Sequence, residues 1–97
     1  REGGTITAGN SPGLNSGAAD VIVADARWAE KHNLQPMARL VSYGIGAVEP
    51  GMFGLGPVPA VRQALTRAGW RISDLDRIEV NEAFAAVVIA LTQELGL

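Results

Sequence analysis

The chain has 97 residues, is 47% apolar and carries a formal net charge of −2. That size fits one small domain or part of a larger one, and the composition is that of a folding chain rather than a disordered one. The evenly spread charges leave no basic stripe for nucleic acid, and the longest apolar run, Ala83–Leu91, falls far short of the ~20 residues of a membrane span. In chain order, Thr5–Thr7 is rich in β-branched residues, and Gly9, Asn10, Ser11, Pro12 and Gly13 make a turn-forming loop. Ala18–Ala24 is a short apolar run with valine and isoleucine, which predicts a buried strand. Asp25 is placed to cap a short helix running to about His32, and Pro36 separates it from the next element.

Arg39–Tyr43 predicts a strand, with a possible extension to Val48, and the glycines from Gly44 to Gly56 predict a flexible or closely packed loop. Pro59 suits the first turn of a helix in which Val61, Ala64, Leu65 and Ala68 share one face, opposite Arg62, Gln63, Thr66 and Arg67. Gly69 ends it as a left-handed cap. Ser73 and Asp76 have the spacing of a capping box around a brief turn, and Arg77–Val80 predicts a short strand running into a helix at Asn81. In that last helix Phe84, Val87, Val88, Leu91 and Leu95 form one stripe, and alanines with Ile89 fill most of the rest. A helix apolar on all sides must be surrounded by protein, and 97 residues offer little to surround it, so the expectation is an inner layer of a larger α/β body.

Chemistry-bearing residues are few. Without cysteine there is no disulfide, thiolate metal site or cysteine nucleophile in these residues. His32, the single histidine, lies in a polar run and reads as an exposed residue near a helix end. Asn81, at a predicted strand-to-helix junction, suits an oxyanion-hole donor, since a carboxamide donates without changing charge. On local chemistry alone a plain N-cap is the stronger reading of Asn81, and Glu82 behind it is favoured by the helix dipole alone. The glycine-rich segments lack the lysine and spacing of a phosphate loop.

Three stretches nevertheless resemble the signatures of one family in order and spacing. Thr7–Ala19 (TAGNSPGLNSGAA), Gly54–Ala60 (GLGPVPA) and Asn81–Ala86 (NEAFAA) are together similar to the thiolases, most closely the acetyl-CoA acetyltransferases and 3-ketoacyl-CoA thiolases. The resemblance covers essentially the whole chain. It implies a partial thiolase-like layered α/β fold, with residues 1–35 ending the N-terminal half and 36–97 beginning the C-terminal half. It also implies acyl transfer between coenzyme A thioesters, with coenzyme A as substrate and product and no covalently bound cofactor.

By the same resemblance Asn81 helps form an oxyanion hole, Phe84 lines the acyl pocket, and Ser11, Pro12 and Gly13 border the pantetheine arm. Pro12 replaces a serine common in the family, and Phe53 replaces a methionine at the tunnel wall. The family's nucleophilic cysteine, its Gly-His-Pro histidine and its second cysteine have no counterpart here, so the chain by itself is expected to be inactive. The expected partners are an acyl-CoA substrate, the rest of a thiolase chain or another copy of it, and a homo-oligomer, with neither nucleic acid nor membrane. A cytoplasmic location is expected, since the Arg-Glu-Gly-Gly start shows no leader; the missing initiator Met suggests an internal segment. Two other readings remain open. One is a non-catalytic binding or assembly module; the other is a ketoacyl synthase, which the Asn-Glu-Ala-Phe run argues against.

Overall fold

A computed structural model describes residues 2–97. Three α-helices carry the architecture: α1 over Ala26–Lys31, α2 over Pro57–Ala68 and α3 over Ala85–Leu95. Short 3-10 turns occupy Ala8–Asn10, Pro50–Leu55 and Ile72–Asp74. Among the described residues there is no β-strand.

Local chemistry sets the helix ends. The Arg27 and Trp28 amides donate to Asp25 Oδ1 at 3.0 and 3.2 Å, which satisfies two of the first-turn donors of α1. His32 closes that helix in the open: its ring stacks on Trp28 at 4.1 Å between centroids, and Nδ1 lies 2.8 Å from the Trp28 carbonyl oxygen. Proline opens α2, and Gly69 ends it at φ +70°, a left-handed turn that lets the Trp70 amide reach the Leu65 carbonyl at 3.0 Å. The predicted face of Val61, Ala64, Leu65 and Ala68 is half-buried and Arg62, Thr66 and Arg67 are exposed, but Gln63, expected on the outer face, is half-buried against residues 41–46. The turn at Ile72–Asp74 is capped differently from the prediction. Asp74, not a Ser73–Asp76 pair, accepts from the Arg71 amide at 2.9 Å and from its guanidinium at 2.9 Å.

The core lies where α2, α3 and the Pro50–Leu55 turn meet. Its buried side chains are Val58, Val87 and Leu91; Leu91 is 3% exposed. Residues 41–46 lie along α2 in a two-residue rhythm, with Ser42, Gly44 and Gly46 half-buried and Val41, Tyr43 and Ile45 turned outward. Ser42 Oγ donates to the Ala64 carbonyl at 2.8 Å, the Ile45 amide donates to Gln63 Oε1 at 3.0 Å, and Arg67 donates to the Tyr43 carbonyl at 2.8 Å. A Cβ on Gly44 would sit 1.9 Å from the Ala60 carbonyl oxygen, and one on Gly46 2.5 Å from that of Gly56. The glycine-rich stretch is therefore closely packed here rather than loose.

Three expectations are corrected. The predicted strands at Ala18–Ala24, Arg39–Tyr43 and Arg77–Val80 are not strands, and Val21, Ile22 and Val23 are 87%, 100% and 80% exposed rather than buried. A strand exists only with a ladder partner, and none of these segments meets one among the described residues. The last helix begins at Ala85, not Asn81, because Phe84 stays extended at φ −151°, ψ 149°. That helix is buried on one side only, with Ile89 58% exposed. Two measures of shape agree with that incomplete burial. The radius of gyration is 17.3 Å, against about 13 Å for a compact chain of this length. The accessible surface is 8668 Å², against about 5300 Å² for a compact protein of 10.1 kDa.

Candidate functional site

Two apolar clefts lie against α3. The first is a space of about 300 Å³ between the Pro50–Leu55 turn and the first half of α3, and Ile6 from the other end of the chain also lines it. Phe84 reaches it because its extended backbone turns the residue away from the helix that follows. Phe53 comes from the turn, and the two rings meet edge to face, 6.0 Å between centroids at 71°. Such a pair contributes ~0.5–1.5 kcal/mol beyond its buried area. Met52, Leu55, Val87, Ala86 and Ala90 complete the walls. Gly54 lets turn and helix approach, since a Cβ there would stand 3.2 Å from Val87 Cγ2. Every residue lining this space is apolar or glycine.

The second cleft, also about 300 Å³, runs between α2, the Ile72–Asp74 turn and the far end of α3. Val61, Ile72, Leu75, Leu91 and Leu95 line it, and Asn81 stands at its edge. Asn81 is exposed, and its carbonyl accepts from the Ala83 amide at 2.9 Å. It is not an N-cap: Phe84 holds that position and offers no side-chain oxygen to the first turn of α3. The sequence argument from a helix N-terminus at Asn81 therefore fails, because the four residues Asn81–Phe84 intervene before the helix starts.

Phe53 and Phe84 are thus brought together, and Asn81 lies in the neighbouring cleft. Ser11 is half-buried, next to the turn in which the Asn10 side chain accepts from the Thr7 amide at 2.8 Å and donates to the Thr5 carbonyl at 2.8 Å. Pro12 and Gly13 are exposed, and neither lines the clefts. The sequence reading missed Ile6, Met52, Leu55 and the alanines of the aromatic cleft. Val87 had a signal, its place in the α3 stripe; Ile6 had none, since nothing local ties it to residues some fifty to eighty positions away. Among the described residues no cluster of His, Asp and Glu could hold a metal ion, and no helix is long and apolar enough to cross a membrane.

The thiolase C-terminal domain model matches residues 34–97. A beta-ketothiolase from Cupriavidus necator is 56% identical over 97 residues, all of this chain and 25% of that protein. The crystal structure of an acetyl-CoA acetyltransferase from Bacillus anthracis superposes with a TM-score of 0.95 at 43% identity, covering 100% of this chain and 25% of that one. A human mitochondrial 3-ketoacyl-CoA thiolase in complex with CoA matches with a TM-score of 0.71 at 43% identity, over 74% of this chain and 18% of that one. The chain spans about a quarter of the length of the curated relatives it matches.

Proposed function

The chain belongs to the thiolase family, and on that premise we propose that it is one part of an acyltransferase working on coenzyme A thioesters. In the cleavage direction the bond between C2 and C3 of a 3-oxoacyl-CoA breaks. The sulfur of a second coenzyme A bonds to C3, C2 takes up a proton, and the products are acetyl-CoA and a shortened acyl-CoA; condensation is the reverse. The observation that carries this reading is the match of the whole chain, in sequence and in backbone, to acetyl-CoA acetyltransferases.

On this reading Asn81 helps hold a thioester oxygen through a water, Ser11, Pro12 and Gly13 border the pantetheine arm, and Phe53 and Phe84 face the acyl group. Residues 1–35 end the N-terminal half of the fold and 36–97 begin its C-terminal half, a division that the domain match at 34–97 supports. The rest of a thiolase chain supplies ladder partners to residues 18–24, 39–43 and 77–80 and covers the open side of α3, giving the layered α/β fold. Assembly is homo-oligomeric. The thiol that accepts the acyl group comes from outside these residues, since the chain has no cysteine.

The test has two arms. The full-length protein carrying this chain should convert acetoacetyl-CoA and coenzyme A to acetyl-CoA, and the 97-residue chain alone should not exceed the blank. No product from the full-length protein would overturn the acyltransferase reading, and turnover by the chain alone would overturn its dependence on outside groups. A second reading, a non-catalytic assembly module, draws on the exposed Val21–Val23 run; a stable oligomer of the 97-residue chain in sedimentation would favour it.

A further inference from the structure

We propose that Asn10 is a positioning residue: its carboxamide ties the chain on both sides of Ile6 and so sets where the Ser11–Gly13 loop begins. This rests on the acyl-CoA reading above, in which that loop borders the pantetheine arm, and adds the residue that holds the loop in place. Three observations carry it. The Asn10 carboxamide is engaged at both ends, donating from Nδ2 to the Thr5 carbonyl at 2.8 Å and accepting at Oδ1 from the Thr7 amide at 2.8 Å. The same turn is closed by the Asn10 amide, which donates to the Thr7 carbonyl at 3.2 Å, and by the Gly9 amide, which donates to Thr7 Oγ1 at 3.2 Å. Beyond Asn10 the backbone of residues 11–17 makes no hydrogen bond among the described residues, so the clamp is the last fixed point before the loop.

A loop with no bonds of its own loses conformational freedom when a ligand lies along it, and that loss is subtracted from binding. Fixing the root of the loop moves part of the loss from the binding step to folding. Ile6, between the two clamped residues, lines the cleft beside Phe53, which relates the root to the body of the second region as well as to its own turn. The clamp needs a donor and an acceptor on one flat, uncharged group, which a carboxamide supplies. Aspartate has the same shape but would turn a second acceptor towards the Thr5 carbonyl. Asn10 itself lines neither cleft, so it acts through the loop and not on the acyl group.

The experiment is thiolysis by the full-length protein, unsubstituted and as Asn10→Ala and Asn10→Asp, with free coenzyme A saturating for each. Two substrates are compared: acetoacetyl-CoA, and S-acetoacetyl-N-acetylcysteamine, which keeps the reacting carbons and the thioester but lacks most of the pantetheine arm. In Asn10→Ala the KM for acetoacetyl-CoA should rise about tenfold, because the loop is then ordered only on binding. The kcat should stay within about twofold, since the acyl group and its surroundings are untouched. Asn10→Asp, which preserves size, should raise KM at least as much as Asn10→Ala. The truncated thioester should keep its KM within about twofold in both variants, because it does not reach along the loop. Poor folding would lower kcat equally for both substrates and leave each KM where it was. An unchanged KM for acetoacetyl-CoA in both variants, an equal rise with the truncated thioester, or a loss confined to kcat overturns the role of Asn10 alone. No turnover of either thioester by the unsubstituted full-length protein overturns the acyltransferase reading and this role with it.

Discussion

Residues 2–40 and 41–97 obey the same local rules and reach different ends. In the first region every side-chain hydrogen bond spans five residues or fewer, and Ala29 is the one buried residue. In the second, side-chain bonds join residues 18 to 32 positions apart, and helices meet in a core. Capping is as good at Asp25 as anywhere in the chain. Local chemistry therefore shapes a helix wherever it occurs, but only surfaces that meet another element convert that shape into cooperative stability.

The largest expected effect tests the second region. Gly44→Ala drives a methyl group into the Ala60 carbonyl and should lower the stability of the unit around α2 by ~3 kcal/mol or more, measured by urea unfolding. Leu91→Ala empties the best-buried position of α3 and should cost ~2–3 kcal/mol in the same assay. Gly69→Ala forces a side chain into a left-handed turn and should cost ~1–2 kcal/mol. Asp25→Ala should cost ~1 kcal/mol locally, seen as faster amide exchange at Arg27 and Trp28 with the midpoint of the second region unmoved. A shift of that midpoint would break the contrast between the regions.

The smallest effect is acid sensitivity at the Ile72–Asp74 turn. Hydrogen bonds from the Arg71 side chain and backbone hold the Asp74 carboxyl below its ordinary range. A carboxyl depressed in the folded state stabilises it above the unfolded pKa and loses that contribution as pH falls through the folded value. The turn should therefore persist through ordinary carboxylate titration and loosen only below it, and Asp74→Asn should remove that acid limb, read from the Arg71 amide shift against pH.

What the sequence revealed and concealed follows the same division. The caps at Asp25 and Gly69 and the buried stripe of α2 were legible because each is decided within a few residues. The apolar segments at 18–24, 39–43 and 77–80 have the composition of strands, but a ladder needs a second chain segment, and composition cannot supply one. The start of α3 was misplaced by four residues because Phe84 leaves the helical path to meet Phe53, a contact made across thirty residues. The aromatic cleft was half legible: Phe84 stood out within the Asn-Glu-Ala-Phe motif and Phe53 as a departure from the family's methionine, while Ile6 did not stand out.

The glycines beneath Tyr43 and Ile45 also have a consequence for alignment. Sheets fix register by matching donors to acceptors, yet residues 41–46 hold theirs without a ladder. A slip of one position would press the Tyr43 or Ile45 side chain where only a hydrogen fits, against the carbonyls of Ala60 and Gly56. The segment works as a steric key, cut so that only one setting turns.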